Sequence, residues 1–305
     1  MKVLITGGAG YIGTSLIESL VNSDHVSELI VYDNLSRGNR NLFIGNPKLE
    51  GAKLTFVQGE LLDSRKLNSI LKGVDLVYHL AANVTTPFSD QNPHLFEQVN
   101  HWGTAELVYA LEKSNVKRLV YLSSVSVYGT SNSSKKVGDE LNPRTFYGIS
   151  KMRAEAHVER LMNKMETYII RCGNVYGYNR SMRFDAVINT FLFEANFKNR
   201  ITINGTGEQR RPFIHIDKAA QTLLTLSQAE LANGIYNLVD KNWAIGEVVK
   251  ELRAIYPDLE MIFVNQHMKM RELEVEGSQE LTQMFSGNTK SLQDELRDFK
   301  AAFTF

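Results

Sequence analysis

Residues 1–13, MKVLITGGAGYIG, carry an apolar run, KVLIT (2–6), straight into Thr6-Gly7-Gly8-Ala9-Gly10-Tyr11-Ile12-Gly13 and then into a helical pattern over 11–22. The three spaced glycines each have a physical reason. Gly7 allows a tight turn, Gly10 lets backbone come close to a pyrophosphate, and Gly13 lets the helix pack on the strand. Free N–H groups and partial positive charge at the helix N-terminus complete a seat for an anion. Twenty residues beyond Gly13, after the run ELIVY (28–32), stands Asp33-Asn34. An acid there can hydrogen-bond both hydroxyls of an adenosine ribose and repels a 2′-phosphate, which favours NAD over NADP. Arg37 is near enough in the chain to pair with a 2′-phosphate and softens that preference. Glu60 and Leu61 follow a third apolar run, in the place where such a sheet can touch adenine.

Outward from this loop the alternation continues. LTFVQ (54–58), VDLVYHL (74–80), KRLVYLSS (117–124) and TYIIRC (167–172) read as strands, and 64–72, 92–114 and 147–165 read as amphipathic helices between them. Strands apolar almost throughout, alternating with helices, predict a doubly wound parallel α/β sheet covered on both faces. Past residue 173 the regularity fails. Strand-like pieces at 200–203, 213–216, 235–239 and 260–264 are mixed with helical stretches at 185–198, 217–230 and 244–256. The reading is therefore a first domain over 1–173 and a smaller mixed α/β domain over 174–305, with parts of 213–240 packing back on the first. The polar tail from 277 holds one weak helical pattern, 291–303.

Composition narrows the function. Thirty-four Lys+Arg against 34 Asp+Glu give zero formal charge, and no basic block marks a nucleic-acid footprint. No run approaches the roughly 18 apolar residues that span a bilayer, and no export signal is evident at the N-terminus, so no membrane partner and a cytoplasmic location are expected. One cysteine, Cys172, excludes an internal disulfide and a cysteine-cluster metal site. His79, His94, His101, His157, His215 and His267 are scattered, so no metal is expected.

Tyr147-Gly148-Ile149-Ser150-Lys151 places a phenol and an amine four residues apart, on one helix face. A phenol of pKa about 10 becomes a base near neutrality only after a shift of about three units, roughly 4 kcal/mol. The Lys151 ammonium and a cationic nicotinamide can together stabilise the phenolate by that much. Ser123-Ser124 ends the fifth strand, at the carboxyl edge where such sheets bind ligands, and a hydroxyl there can hold a sugar hydroxyl or a developing ketone.

Together with DNLSRG (33–38), HLAA (79–82), Asn100 with Gly103-Thr104, SSVSVYG (123–129), RCGNVYG (171–177) and NGTGEQRRPFIHID (204–217), these motifs resemble the extended short-chain dehydrogenases/reductases that act on nucleotide sugars. The resemblance covers roughly residues 1–240. It implies a Rossmann fold with a C-terminal nucleotide-sugar-binding domain. It assigns NAD binding to Gly7, Gly10, Tyr11, Ile12, Gly13, Asp33 and Asn34, with Leu61, Leu80, Ala81, Ala82 and Asn100 lining the pocket. Tyr147 takes the place of the catalytic base, Ser124 that of the catalytic Ser/Thr, and Lys151 also bonds the nicotinamide ribose. Asn174 and Arg211 look like contacts to the sugar nucleotide diphosphate. Helices 92–114 and 147–165 are those that pair two subunits in this family, so a homodimer is expected, with Leu107, Tyr109, Ala110, Ala156, Val158 and Leu161 contributing.

Within the family, 4,6-dehydratases place an Asp-Glu pair directly after the catalytic Thr, and decarboxylating members carry a Glu in the same segment. Here Val125 and Ser126 follow Ser124 and offer no such acid–base chemistry. DNLSRG is similar to the segment of UDP-galactose 4-epimerase-like enzymes. The sequence thus favours a nucleotide-sugar 4-epimerase working by transient oxidation at C4, with a net C4 dehydrogenase or reductase as the alternative. A non-catalytic NAD-binding sensor is a distant third.

Overall fold

A computed structural model describes residues 1–84, 92–268, 270–287 and 289–303. The first six strands form where the apolar runs predict them: β1 (Lys2–Thr6), β2 (Glu28–Asp33), β3 (Leu54–Gln58), β4 (Leu76–His79), β5 (Arg118–Ser124) and β6 (Glu166–Cys172). The helices that link them are α1 (Tyr11–Leu20), α2 (Ser64–Ile70), α3 (Pro93–Phe96), α4 (Gly103–Glu112) and α5 (Phe146–Val158). Between α3 and α4 the chain makes a π-helical turn, Glu97–Trp102. Pairing is parallel throughout. Two buried layers flank the sheet: Leu16, Ile17, Leu20 and Tyr168 on one face, and Leu107, Leu111, Ala154 and Val158 on the other.

With the late strand β10 (Gly234–Leu238) at one edge, the sheet order is β10-β6-β5-β4-β1-β2-β3, so the winding direction reverses between β1 and β4, which opens a crevice at their carboxyl ends. The seventh strand, β10 (Gly234–Leu238), comes from late in the chain and pairs Gly234–Leu238 with Tyr168–Cys172. Helix α7 (Ile216–Thr225) packs on α1.

The remaining segments build a smaller lobe. β7 (Asn174–Tyr176), β9 (Arg210–His215) and β11 (Lys241–Ala244) form one sheet, and β8 (Arg200–Asn204) pairs with β12 (Glu260–Val264). These lie with α6 (Val187–Lys198), α8 (Ile245–Ile255) and α10 (Leu292–Ala301) around a core that includes Phe191, Leu192, Phe213, Val248, Leu296 and Phe299. α9 (Gln279–Phe285) returns to cover α7 and β10. β7, β11 and α9 have no counterpart in the sequence reading.

Four of the six residues expected at a subunit interface face inward instead. Leu107, Ala110, Val158 and Leu161 are buried within the chain's own core, because the apolar stripe of α4, α5 and the 3-10 turn after it (Glu159–Asn163) is used against the sheet. Tyr109 and Ala156 remain on the outer face, with Trp102 53% exposed beside them. No helix among the described residues is long and apolar enough to cross a membrane.

Candidate active site

The loop after β1 is shaped by contacts that leave no room for side chains. Gly7 has φ +71°, and a Cβ added there would sit 2.6 Å from Ala81 Cα; one on Gly13 would sit 2.6 Å from the Gly7 carbonyl. The glycines therefore bring backbone against Ala81, just after β4, at the switch point of the sheet, and leave a cradle that fits a dinucleotide pyrophosphate.

At the end of β2, Asp33 accepts from the Ala9 N–H (3.1 Å) and the Leu35 N–H (2.8 Å), which ties the loop to the acid behind it. Burial pushes the Asp33 carboxyl up, against the pull of those two bonds. The Asn34 amide donates to both Glu60 oxygens (3.0 and 3.2 Å), and the Tyr32 hydroxyl donates to the Glu60 carbonyl (2.7 Å). Asp33→Ala is expected to weaken NAD binding about 10- to 100-fold, the loss of one or two bonds to a charged acceptor, and to narrow the preference over NADP; titration with each dinucleotide measures both.

At the other end of the cleft Thr145 caps α5, its hydroxyl accepting from the Gly148 N–H (3.0 Å), which sets Tyr147 in the first turn. Burial raises the Tyr147 phenol, opposed by its hydrogen bond with Ser124 and by the charge of Arg183. Ser124 also donates to the Ser126 hydroxyl (3.1 Å) and accepts from the Ser126 N–H (3.2 Å), so the end of β5 is held by its own turn.

One turn along α5, Lys151 is 2% exposed. Its ammonium donates to the Leu122 carbonyl (2.7 Å) and lies 4.8 Å over the Tyr121 ring. Burial pulls it down to about 7, with Glu155 opposing. A folded lysine of that kind has given up a proton that the unfolded chain still binds between pH 7 and about 10, so ligand-free stability is expected to rise over that window. Urea unfolding at a series of pH values should show this rise, and Lys151→Met should flatten it.

Every expected site residue but one lines a single cleft of about 1130 Å³ between the two lobes. That volume exceeds the roughly 300–1,000 Å³ of a pocket for one small ligand. Asn100 is the exception. It is fully buried on the π-helical turn, behind the wall, where it brackets the Asn83 backbone (Asn83 N–H to Oδ1 2.7 Å, Nδ2 to the Asn83 carbonyl 2.9 Å) and donates to Ser150 (3.1 Å). It shapes the pocket through Asn83 rather than by lining it. Tyr11 reaches the wall, but its hydroxyl is committed to the Gly177 carbonyl across the lobes.

On the smaller lobe, Asn174 donates to the Pro212 carbonyl (2.9 Å) and stands beside Arg211 in the cleft. Burial and the neighbouring charge of Arg271 pull Arg211 down to about 10. Among the described residues no carboxylate pairs with either arginine, so the two cations form a seat for an anion. Arg271 escaped the sequence reading because it lies in an irregular stretch with no pattern. Arg183 also lines the cleft, where it forks onto Asp185 (2.9 and 3.0 Å). No three His, Cys, Asp or Glu side chains among the described residues gather to hold a metal ion.

A parallel sheet with a glycine loop at its switch point, a Tyr/Lys helix beside the strand that carries Ser124, and a second lobe closing the crevice define a nucleotide-dependent oxidoreductase-type enzyme. Residues 3–238 match the NAD dependent epimerase/dehydratase family, and the chain belongs to it. Its cofactor is NAD, and its class is that of the extended short-chain dehydrogenases/reductases. The chain is 32% identical over 235 residues to a putative UDP-glucose 4-epimerase of Methanocaldococcus jannaschii, covering 74% of this chain and 73% of that one. It is 31% identical over 261 residues to the human dTDP-D-glucose 4,6-dehydratase, covering 82% and 73%. The fold is shared with a UDP-glucuronic acid 4-epimerase of Bacillus cereus solved with NAD, at TM-score 0.85 and 21% identity over 99% of this chain and 98% of that one.

Proposed function

We propose that the protein is a nucleotide-sugar 4-epimerase that oxidises its substrate transiently at C4. One observation carries this choice within the family. Beyond Ser124 the cleft wall offers Val125 and Ser126, and among the described lining residues the only carboxylates are Asp33 and Glu60 at the β2 and β3 ends and Asp185, which is held by Arg183. Elimination across C5 and C6 needs an acid and a base beside the sugar, and none of these three carboxylates is free to serve there.

In this reading Ser124 bonds the C4 oxygen and Tyr147 removes its proton, while Lys151 holds the phenolate and the nicotinamide ribose. NAD, bound on Gly7, Gly10, Tyr11, Ile12 and Gly13 with its adenosine at Asp33, Asn34, Glu60 and Leu61, supplies a hydride acceptor that can return the hydride to the opposite face. Leu80, Ala81 and Ala82 form the wall. The same reading gives NAD the lobe over 1–173 and the sugar nucleotide the segment from 174 on, where Asn174, Arg211 and Arg271 take the diphosphate. Arg211→Ala and Arg271→Ala are each expected to raise KM about 10- to 100-fold, the worth of one charge-assisted contact, with kcat little changed.

The experiment is to denature purified protein, assay released NAD, and incubate native protein with UDP-, GDP- and dTDP-sugars without added cofactor. Stoichiometric NAD and equilibration of one sugar with its C4 epimer support the proposal. Turnover only with added NAD supports the alternative, a net C4 dehydrogenase or reductase. A homodimer through the outer faces of 92–114 and 147–165 is proposed alongside, supported by the exposed Trp102 and Tyr109; light scattering that gives a monomer mass rejects it.

A further inference from the structure

Beneath the helix that carries Tyr147 and Lys151 lies a group of buried polar residues for which the proposed chemistry has no use. Glu155, one turn beyond Lys151, is 2% exposed and accepts from the Ser123 hydroxyl (2.5 Å) and from two nitrogens of Arg171 (Nε 3.1 Å, Nη2 2.8 Å). Arg171 continues to the Tyr128 hydroxyl (2.9 Å), which donates to Asn237 on β10 (2.9 Å). Ser123 and Arg171 face each other in register on β5 and β6, and their successors are Ser124 and Cys172, which line the cleft. Lys151 is bonded to the Leu122 carbonyl, the peptide immediately before Ser123. One carboxylate therefore joins helix α5 to two strand ends that face the reacting sugar in the proposed reading. Among the described residues it is also the carboxylate set against two buried cations, Arg171 and Lys151.

We infer that Glu155 is a positioning residue: its carboxylate locks the ends of β5 and β6 to the helix bearing Tyr147 and Lys151 and supplies the charge that balances Lys151 against Arg171. The inference rests on the reading of Tyr147 and Lys151 as the proton-handling pair. The titratable groups that face Lys151 and Glu155 are His79 on β4, Tyr121 on β5, Tyr128 after it, Arg171 on β6 and Tyr147 on α5, with Cys172 on the other face of β6 acting on Tyr147. His79 is held near 3 by burial, Tyr121 well above the ordinary phenol range, and Cys172 at about 12, so near neutrality the pair Tyr147 and Lys151 is what responds to a change of charge at Glu155.

The test titrates the Tyr147 phenol of NAD-saturated protein by its ultraviolet tyrosinate absorbance, with Tyr147→Phe as the blank. Glu155→Gln leaves Arg171 unbalanced, so Lys151 surrenders its proton more easily, the phenolate loses its support, and the transition moves up by about one pH unit, a tenfold smaller phenolate fraction on the rising limb. Glu155→Asp keeps the charge and should restore the wild-type position. Arg171→Gln leaves Glu155 to act on Lys151 alone and should move the transition down; it serves as the second probe should Glu155→Gln not fold. A residue that merely holds the fold together would give neither the opposed shifts nor the rescue by aspartate. Transitions that coincide with wild type in Glu155→Gln, or in Arg171→Gln if that is the variant that folds, overturn the inference. Tyr147→Phe that removes no titration from the wild-type trace would instead sink the reading of Tyr147 as the base, whatever Glu155 does.

Discussion

Tyr147→Phe is expected to lower turnover about 10²- to 10⁴-fold, the usual worth of a positioned general base, while the protein keeps its fold and its NAD. The ring is retained, so its edge contact with Phe96, at 6.4 Å between centroids, survives the change. What disappears is the oxygen to which Ser124 bonds. Ser124 keeps its partners in Ser126, so no stranded hydroxyl disturbs the end of β5. A variant that still binds NAD and no longer turns over places the loss in proton removal. One that retains more than about a tenth of wild-type activity shows that another group takes the proton and overturns the assignment of Tyr147 as the base.

The second large effect falls on stability and lies where α7 meets α10. Lys218, on α7, is 2.7 Å from Asp240 and 2.9 Å from Glu295 on α10, and the other Glu295 oxygen accepts from the Tyr176 hydroxyl. All of these side chains are mostly buried. Burial by itself would lower the Lys218 ammonium, but the two carboxylates outweigh it and hold it above the ordinary lysine range. Because the folded form binds its proton more tightly than the unfolded chain, this contribution is present across neutral pH and is lost only as pH climbs through that raised value. Lys218→Met strands two buried carboxylates and should cost about 3–5 kcal/mol. Urea unfolding should show the midpoint falling with little change of slope. A loss under about 1 kcal/mol would mean that water reaches the pair and pays for their charge. Glu295→Gln should cost less, since Asp240 still answers Lys218.

The nucleotide half of this molecule was legible because its physics is local. Each of the first six strands is a short apolar run bounded by a helix of clear period, and parallel strands covered on both faces need little else. Motif spacing then placed Asp33, Tyr147 and Lys151 without reference to anything distant. The smaller lobe is built differently. β7 has three residues, too few to show a period, and β11, Lys-Asn-Trp-Ala, becomes a strand only through its antiparallel partner β9. Arg271 has meaning only beside Arg211, sixty positions earlier, and no local rule joins them. Asn100 and the inward residues of α4 and α5 show another limit: a motif or an apolar stripe tells which residues are constrained, but not whether they form a wall, stand behind it, or face the chain's own core.

The late arrival of β10 has a consequence for how the chain is made. Until residues 234–238 leave the ribosome, β6 has no partner on its outer edge, and until α7 emerges the face of α1 that it covers stays open. The nucleotide lobe therefore cannot finish folding as an early, self-sufficient unit, and a chain cut near residue 173 would present a bare sheet edge, open to pairing with other nascent chains. Emergence of residues 216–238 is a condition for completing the seven-stranded sheet and its α1 face, so the two halves reach the native state together.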